Sequence, residues 1–283
     1  MINRLNEVKQ IIFTSNSLIL FFLFFNALKL YQISADLKIQ LLKLLLSFGI
    51  VLLLEDRNKK IEGFKKYDNF TRFFGVSLFV MTFARSFFLT TYEDKFYYFL
   101  LPIGISSILL VLFKWKDINL YKNICIISLL LPIRRAFFFL LNLLLLPVTK
   151  YLTWIILFSI GKEPILIGQS IFINKAELII GEACLGSDNL FFVICTIYIY
   201  FIIFKLKSNE NLKLITAITI FVPVTINVFR NVLLALIVST ESNHRDDMFN
   251  FFHDSFGSFL FSLISLSNVS KAYFSLLNSE LNK

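Results

Sequence analysis

Long apolar runs separated by short polar loops dominate the hydrophobic pattern of this chain. In helical conformation, about 20 apolar residues cross the roughly 30 Å hydrocarbon core of a bilayer. Runs of that length predict eight membrane-spanning helices, over residues 11–31, 37–54, 73–91, 97–114, 118–135, 187–206, 214–239 and 254–275. We therefore expect an all-α polytopic membrane protein, with residues 1–283 forming one integral membrane domain.

Residues 136–160 are apolar, but Pro147, Thr149 and Lys150 interrupt them. Such a segment forms two further spans, a pair of re-entrant helices, or helices lying at the outer membrane interface. Neither piece comfortably reaches 20 clean apolar residues, so we favour interfacial helices. The interpretations leave the order of crossings downstream unchanged.

Residues 161–181 have a different pattern, because turn residues separate short isoleucine-rich runs. Gly168 and the pair Asn174-Lys175 are typical of turns, and the runs around Ile171 and Ile179 are typical of strands. This pattern predicts a small β-hairpin that leads directly to Cys184. We thus divide the chain into N-terminal spans without a motif (1–135), interfacial helices with the hairpin (136–181) and the remaining spans (182–275).

Composition and charge support this class. The chain is 57% hydrophobic and 17% charged, against about 45–50% and 25% in soluble domains. Its net charge of +9 comes largely from short basic loops such as 55–71, 114–122 and 205–213. Such clusters mark cytoplasmic loops, so we expect no nucleic-acid partner. We interpret the first apolar run as a retained span, not a removed signal peptide. Both termini then lie inside, and the hairpin lies outside.

Three cysteines are too few and too scattered for a disulfide framework, and no metal-binding spacing appears, so no cofactor or metal is implied. Cys125 and Cys195 lie inside apolar runs, as small buried side chains do. Cys184 instead stands between Glu182 and Gly186, where a helix begins. The unpaired N–H groups of a helix N-terminus favour a thiolate, which makes Cys184 a candidate nucleophile.

Two further residues share the outer half of the predicted membrane. Arg230 lies in an apolar run, where a charge costs about 2.5–3.5 kcal/mol at a helix centre, and Asn227 shares its helix face. His253 opens the last span, followed by Asp254 and Gly257. A histidine there can take and return a proton.

Together, these side chains suffice for acyl transfer. The thiolate of Cys184 attacks a carbonyl, His253 protonates the leaving amine, and Arg230 stabilises the oxyanion or holds the substrate carbonyl. The other histidine, His244, lies in a charged loop and is most simply a surface residue. Among other intramembrane charges, Arg85 is a weaker candidate.

The residues of this site resemble the motifs of the exosortase/archaeosortase family. The resemblance covers residues 161–261 and rests on Glu182-Ala183-Cys184-Leu185-Gly186, Asn227-Val228-Phe229-Arg230 and Phe252-His253-Asp254 with Gly257. Leu185 departs from it, since the family usually has a small residue there, which puts the fit of the substrate in doubt. The N-terminal spans carry no motif.

This resemblance implies an integral membrane cysteine transpeptidase of the cytoplasmic membrane, with about eight spans and an extracytoplasmic site. Its substrates would be exported proteins that end in a short motif, one span and a basic tail. Two other hypotheses stay open: a transporter or channel whose intramembrane Arg85 and Arg230 line a pathway, and an assembly factor without chemistry. In a transporter, Cys184 would be replaceable by alanine.

Overall fold

The computed structural model describes residues 19–25, 37–58, 69–89, 96–112, 121–174, 176–253 and 256–282. The chain divides into two compact units, Met1–Ile133 and Arg134–Lys283. Most of the predicted basic loop 55–71 and most of the predicted span 11–31 lie outside the described residues.

The first unit is almost entirely helical in its described part. Helices α3 and α4 form its most extensive helix pair, and Phe22, Phe79 and Phe83 form part of an aromatic cluster. Its elements are α1 (residues 19–25), α2 (Leu37–Asn58), α3 (Asn69–Phe87), α4 (Phe96–Leu112) and the first part of α5 (Lys122–Ser159). Apolar side chains therefore make up most of the core of this unit.

Helix α5 corrects the expectation of separate helices over residues 136–160, because it runs without a break through 38 residues. The polar residues that interrupt the apolar pattern are accommodated in the helix. Thr149 is fully buried, and Lys150 Nζ donates to the Gly168 carbonyl at 3.0 Å. Pro147 is tolerated, as prolines are in long apolar helices. The helix thus continues through the positions at which we expected breaks.

The region expected to form a hairpin is a three-stranded antiparallel sheet. Its strands are β1 (Ile165–Ile167), β2 (Ser170–Ile173) and β3 (Ala176–Ile179), in the order β1-β2-β3. The tight turns at Gly168 and Asn174 have positive φ angles, as two-residue hairpin turns require. Trp154 Nε1 of α5 donates to the Pro164 carbonyl at 2.8 Å, which anchors the sheet beside that helix.

Four helices complete the second unit: α6 (Ser187–Ile203), α7 (Asn209–Val238), α8 (Arg245–His253) and α9 (Phe256–Leu281). Helices α6, α7 and α9 pack against one another, around a core that includes Val193, Ile215 and Tyr273. The Glu280 carboxylate accepts hydrogen bonds from the N–H groups of Lys207 and Ser208 at 2.7 and 3.0 Å. The end of α9 thereby fastens the start of α7.

Helix α8 is a second difference from expectation, because the charged segment after His244 was predicted to be a loop. Asp246 and Asp247 stand in its first turn, where acidic side chains favour the helix dipole. Phe249 and Phe252 pack against the core cluster that contains Cys184. This segment therefore forms a helix because its apolar face packs against the core, although its charges suggested a loop.

Three helical segments within the described residues are long and apolar enough to cross a membrane: Ala136–Ser159, Asn209–Val238 and Phe256–Leu281. Shorter apolar helices cover Leu42–Leu53, Phe96–Val111 and Ser187–Ile203. The chain is an all-α membrane protein with a small sheet, and the number of eight spans stays a prediction.

Candidate active site

Cys184 ends a short 3-10 turn, Glu182–Cys184, that connects β3 to α6. Its side chain is 2% exposed, and its N–H donates to the Gly181 carbonyl at 2.9 Å. Gly186 then caps α6 with φ +74°. A Cβ atom at Gly186 would lie 2.5 Å from the Asn227 Cγ. Glycine is needed there both for its backbone angle and for the approach of Asn227.

His253 lies next to the cysteine in space, although 69 residues separate them in the chain. Cys184 Sγ and His253 Nε2 are 3.6 Å apart. His253 is the last residue of α8, and the ring of Phe249, one helical turn earlier, stacks on its imidazole with centroids 5.0 Å apart. The fold therefore places a proton acceptor within reach of a buried thiol.

Arg230 holds the segment that carries this histidine. It is 4% exposed, and its Nε and Nη2 donate to the carbonyls of Phe252 and His253 at 3.2 and 3.0 Å. The last carbonyls of a helix lack partners within that helix, and a cation is favourable there. The buried guanidinium thus caps α8 at the residue that contacts Cys184.

Two asparagines of α7 hold the main chain of the cysteine. Asn227 Nδ2 and Asn231 Nδ2 donate to the Cys184 carbonyl at 2.7 and 2.8 Å. Asn227 Oδ1 in turn accepts from Arg230 Nη1 at 3.4 Å. A continuous set of hydrogen bonds thereby joins the Cys184 carbonyl, through α7, to the end of α8.

The other residues that the sequence suggested for the site have no described contact with the Cys184 or His253 side chains. The Glu182 side chain is exposed. Gly257 is buried against Phe251, whose carbonyl oxygen would lie 2.7 Å from a Cβ at this position, so this glycine accommodates Phe251 rather than the imidazole. Asp254 lies outside the described residues. His244 is exposed in the turn before α8.

Sequence reasoning did not assign Asn231, Phe249 or Arg134 to the site. The first two were detectable, because Asn231 follows Asn227 and His253 follows Phe249 at the four-residue spacing of one helix face. Arg134 was not, because its partner is distant in the chain. Its Nη2 lies 2.5 Å from Asp188 Oδ1 in the first turn of α6. This ion pair ties α5 to the helix that begins after Cys184.

A buried thiol beside an imidazole is suited to nucleophilic acyl transfer. No group of three or more histidine, cysteine, aspartate or glutamate side chains in the described part of the chain could hold a metal ion. The buried cation of the site, Arg230, is hydrogen-bonded to carbonyl oxygens. The arrangement thus brings together a thiol, an imidazole and a cation that is hydrogen-bonded to the end of α8.

The family model described as transmembrane exosortase matches residues 14–267 of this chain. The match includes all of the described site residues. No curated protein and no solved structure matches the chain significantly.

Proposed function

Because this chain belongs to the transmembrane exosortase family, we propose that it is a membrane-embedded cysteine peptidase or transpeptidase of exported proteins. Its substrates carry a C-terminal motif, one span and a basic tail, and it cleaves them near the motif. The observation that carries this proposal is the 3.6 Å contact between Cys184 Sγ and His253 Nε2. It joins residues from distant parts of the chain in the geometry of a nucleophile and its base.

The reaction runs in two halves. His253 Nε2 takes the thiol proton, and Cys184 Sγ attacks the scissile carbonyl carbon, whose oxygen becomes an oxyanion. When the carbonyl re-forms, the C–N bond breaks and His253 gives the proton to the leaving amine, which departs with the membrane tail. Water or an acceptor amine then attacks the thioester, loses its proton to His253, and releases the thiol.

Arg230 has two proposed roles. The role expected from the sequence is to stabilise the oxyanion or to hold the substrate carbonyl. Its hydrogen bonds to the carbonyls of Phe252 and His253 support a second role. In that role it is a positioning residue, which keeps the imidazole beside the sulfur. Asn227 supports both segments, because it contacts Arg230 and the Cys184 carbonyl.

We further propose that the site faces the extracytoplasmic side of the cytoplasmic membrane and that both termini are cytoplasmic. The basic loops of the sequence support this orientation. An enzyme inside the bilayer also suits a substrate that is itself a membrane span, because both diffuse in one plane. A soluble protease would have to search for that bond.

The test compares Cys184→Ala with Cys195→Ala, a matched change at another buried cysteine, in α6. The C-terminal peptides of membrane and surface proteins are measured by mass spectrometry in cells that carry each variant. We expect a set of proteins to keep its uncut hydrophobic, basic-ended tail with Cys184→Ala only. Equal processing with a stably present Cys184→Ala protein would refute the proposal and favour transport.

Arg85 bears on that transport alternative. It lies in the last turn of α3 in the first unit and is exposed, with its guanidinium 5.6 Å from the ring centroid of Phe96. Arg230 is buried in the second unit and bonded to the end of α8. Each arginine thus has partners of its own within its own unit.

A further inference from the structure

Strand β3 is an edge of the sheet and leads into the turn that carries Cys184. The pairing of β3 with β2 determines which of its main-chain groups face outward. In an antiparallel pair, alternate residues form hydrogen bonds with the neighbouring strand. The Ile180 N–H donates to the Gln169 carbonyl at 2.9 Å. Leu178 and Ile180 therefore face β2, and Glu177 and Ile179 direct their N–H and C=O groups away from it.

The residues of this outward edge are exposed. Glu177 is exposed and Ile179 is 60% exposed. Leu178, which points to the other face of the sheet, is buried in the cluster that also contains Leu234 and Ala235 of α7. Within the described part of the chain, neither outward N–H has an acceptor. The edge thus has main-chain donors available to a further strand.

The same edge ends beside the nucleophile. The Ile179 carbonyl points outward, accepts from the Gly181 N–H at 3.0 Å and lies 3.8 Å from Cys184 Sγ. Neighbouring strands lie about 4.8 Å apart. A strand paired with Glu177 and Ile179 would therefore bring its own main chain to the sulfur, where attack needs an approach of about 3–3.5 Å.

We propose that the outward edge of β3 binds the segment of the substrate next to the scissile bond, in extended conformation, as a fourth strand. This inference rests on the proposed function and deepens it by naming how the polypeptide is held. Main-chain hydrogen bonds provide most of the affinity, and every second side chain of the substrate meets the enzyme. The edge sets the depth and direction in which the scissile carbonyl reaches Cys184.

The first test compares Glu177→Pro with Glu177→Ala, scored by mass spectrometry of the C-terminal tails and normalised to the amount of enzyme in the membrane. Both changes remove the carboxylate, but only proline removes the outward N–H, and proline is tolerated on an edge strand. We expect processing by Glu177→Pro to be roughly tenfold below that by Glu177→Ala. Equal processing by the two variants would overturn the proposal.

Leu166→Pro is the control at the opposite edge. Leu166 pairs with Ile171, which faces β3, so the Leu166 N–H also points away from the sheet. We expect processing within about twofold of the unchanged enzyme, since proline at this outward position removes no hydrogen bond of the sheet. An equal loss of processing with Leu166→Pro and Glu177→Pro would show that both prolines act by destabilising the sheet. That result would overturn the proposal.

A second measurement holds even if Glu177→Pro fails to accumulate. A photocrosslinking benzoylphenylalanine is placed at position 177 or, as the control, at position 165 on β1, which is 63% exposed. Both are introduced into Cys184→Ala enzyme in intact cells. An adduct with uncut substrate at 177 and not at 165 supports the proposal. No adduct at 177, equal adducts at both, or an adduct with a second copy of the enzyme overturns it.

The two proposals fail in different ways. If Cys184→Ala still processes substrates, the proposed function is wrong. If Cys184→Ala is inactive and Glu177→Pro is fully active, only the edge proposal is wrong. The rate of alkylation of Cys184 by iodoacetamide in Glu177→Pro enzyme separates the two parts of the site. We expect an unchanged rate, because the thiol and His253 are untouched. A large change would mean that proline acts on the nucleophile, and the edge proposal would be overturned.

Discussion

Three buried side chains of the second unit form hydrogen bonds of much longer range than Thr82 and Ser107 of the first unit. In the first unit, Thr82 and Ser107 donate to carbonyls of their own helices, four and three residues earlier. In the second unit, Asn227, Asn231 and Arg230 donate to carbonyls 43, 47 and 23 residues away. A bond within one turn satisfies a hydroxyl wherever the helix lies. A bond between elements forms only when those elements are assembled in one way.

This difference predicts where a single substitution has functional consequences. Local bonds make a helix compatible with an apolar environment without specifying its neighbours. Non-local bonds hold the turn of Cys184, the segment of His253 and α7 in register. We therefore expect changes of buried polar groups to reduce processing strongly in the second unit and weakly in the first.

The largest effect is expected for His253→Ala, with His244→Ala as its control. General acid–base catalysis contributes roughly 10²- to 10⁴-fold, so His253→Ala should lower processing by that factor. His244 is exposed, and its loss should leave processing nearly unchanged. Both effects are measured as the amount of uncut C-terminal tail in cells that carry each variant. The reverse result would identify His244 as the proton carrier and contradict the role proposed for His253.

Arg230→Lys should have the next largest effect. Lysine keeps the charge but loses the planar fork that reaches two carbonyls. Charged hydrogen bonds contribute about 1.5–3 kcal/mol each, so processing should fall roughly 10- to 100-fold. The rate of Cys184 alkylation as a function of pH should change as well, because the imidazole is released from the sulfur. An unchanged pH profile with lost processing would favour the oxyanion role over positioning.

The smallest expected difference in processing is that between Asn231→Ala and Ser107→Ala. The first removes one of two amides on the Cys184 carbonyl, so processing should fall roughly fivefold, the equivalent of about 1 kcal/mol. Ser107→Ala removes a bond within one helix and should change processing by less than about twofold. If both variants behave alike, the contrast between local and non-local polar bonds has no functional consequence.

The sequence predicts part of the difference between the two units. The apolar runs predict helices, and the structure places helices over each predicted span that it describes. The four-residue spacing of Asn227 and Asn231 and the charge of Arg230 in an apolar run mark α7 as unusual by pattern alone. The continuity of α5 was not visible, because Pro147 and Lys150 break the apolar pattern and the hydrogen bond of Lys150 joins it to Gly168, 18 residues away. Helix α8 was not predicted for a related reason. Its apolar face stabilises a helix only when it packs against the core, and the sequence pattern does not show that contact.

The sequence alone determined the membrane class, the helical architecture and the candidates Cys184, Arg230 and His253, because hydropathy and residue chemistry are local properties. Tertiary structure decided which groups meet. It brings His253 Nε2 to the sulfur, turns Arg230 toward the end of α8 and places the end of β3 beside Cys184. Those contacts join residues far apart in the chain, and their geometry follows from the packing of whole elements, which no local pattern encodes.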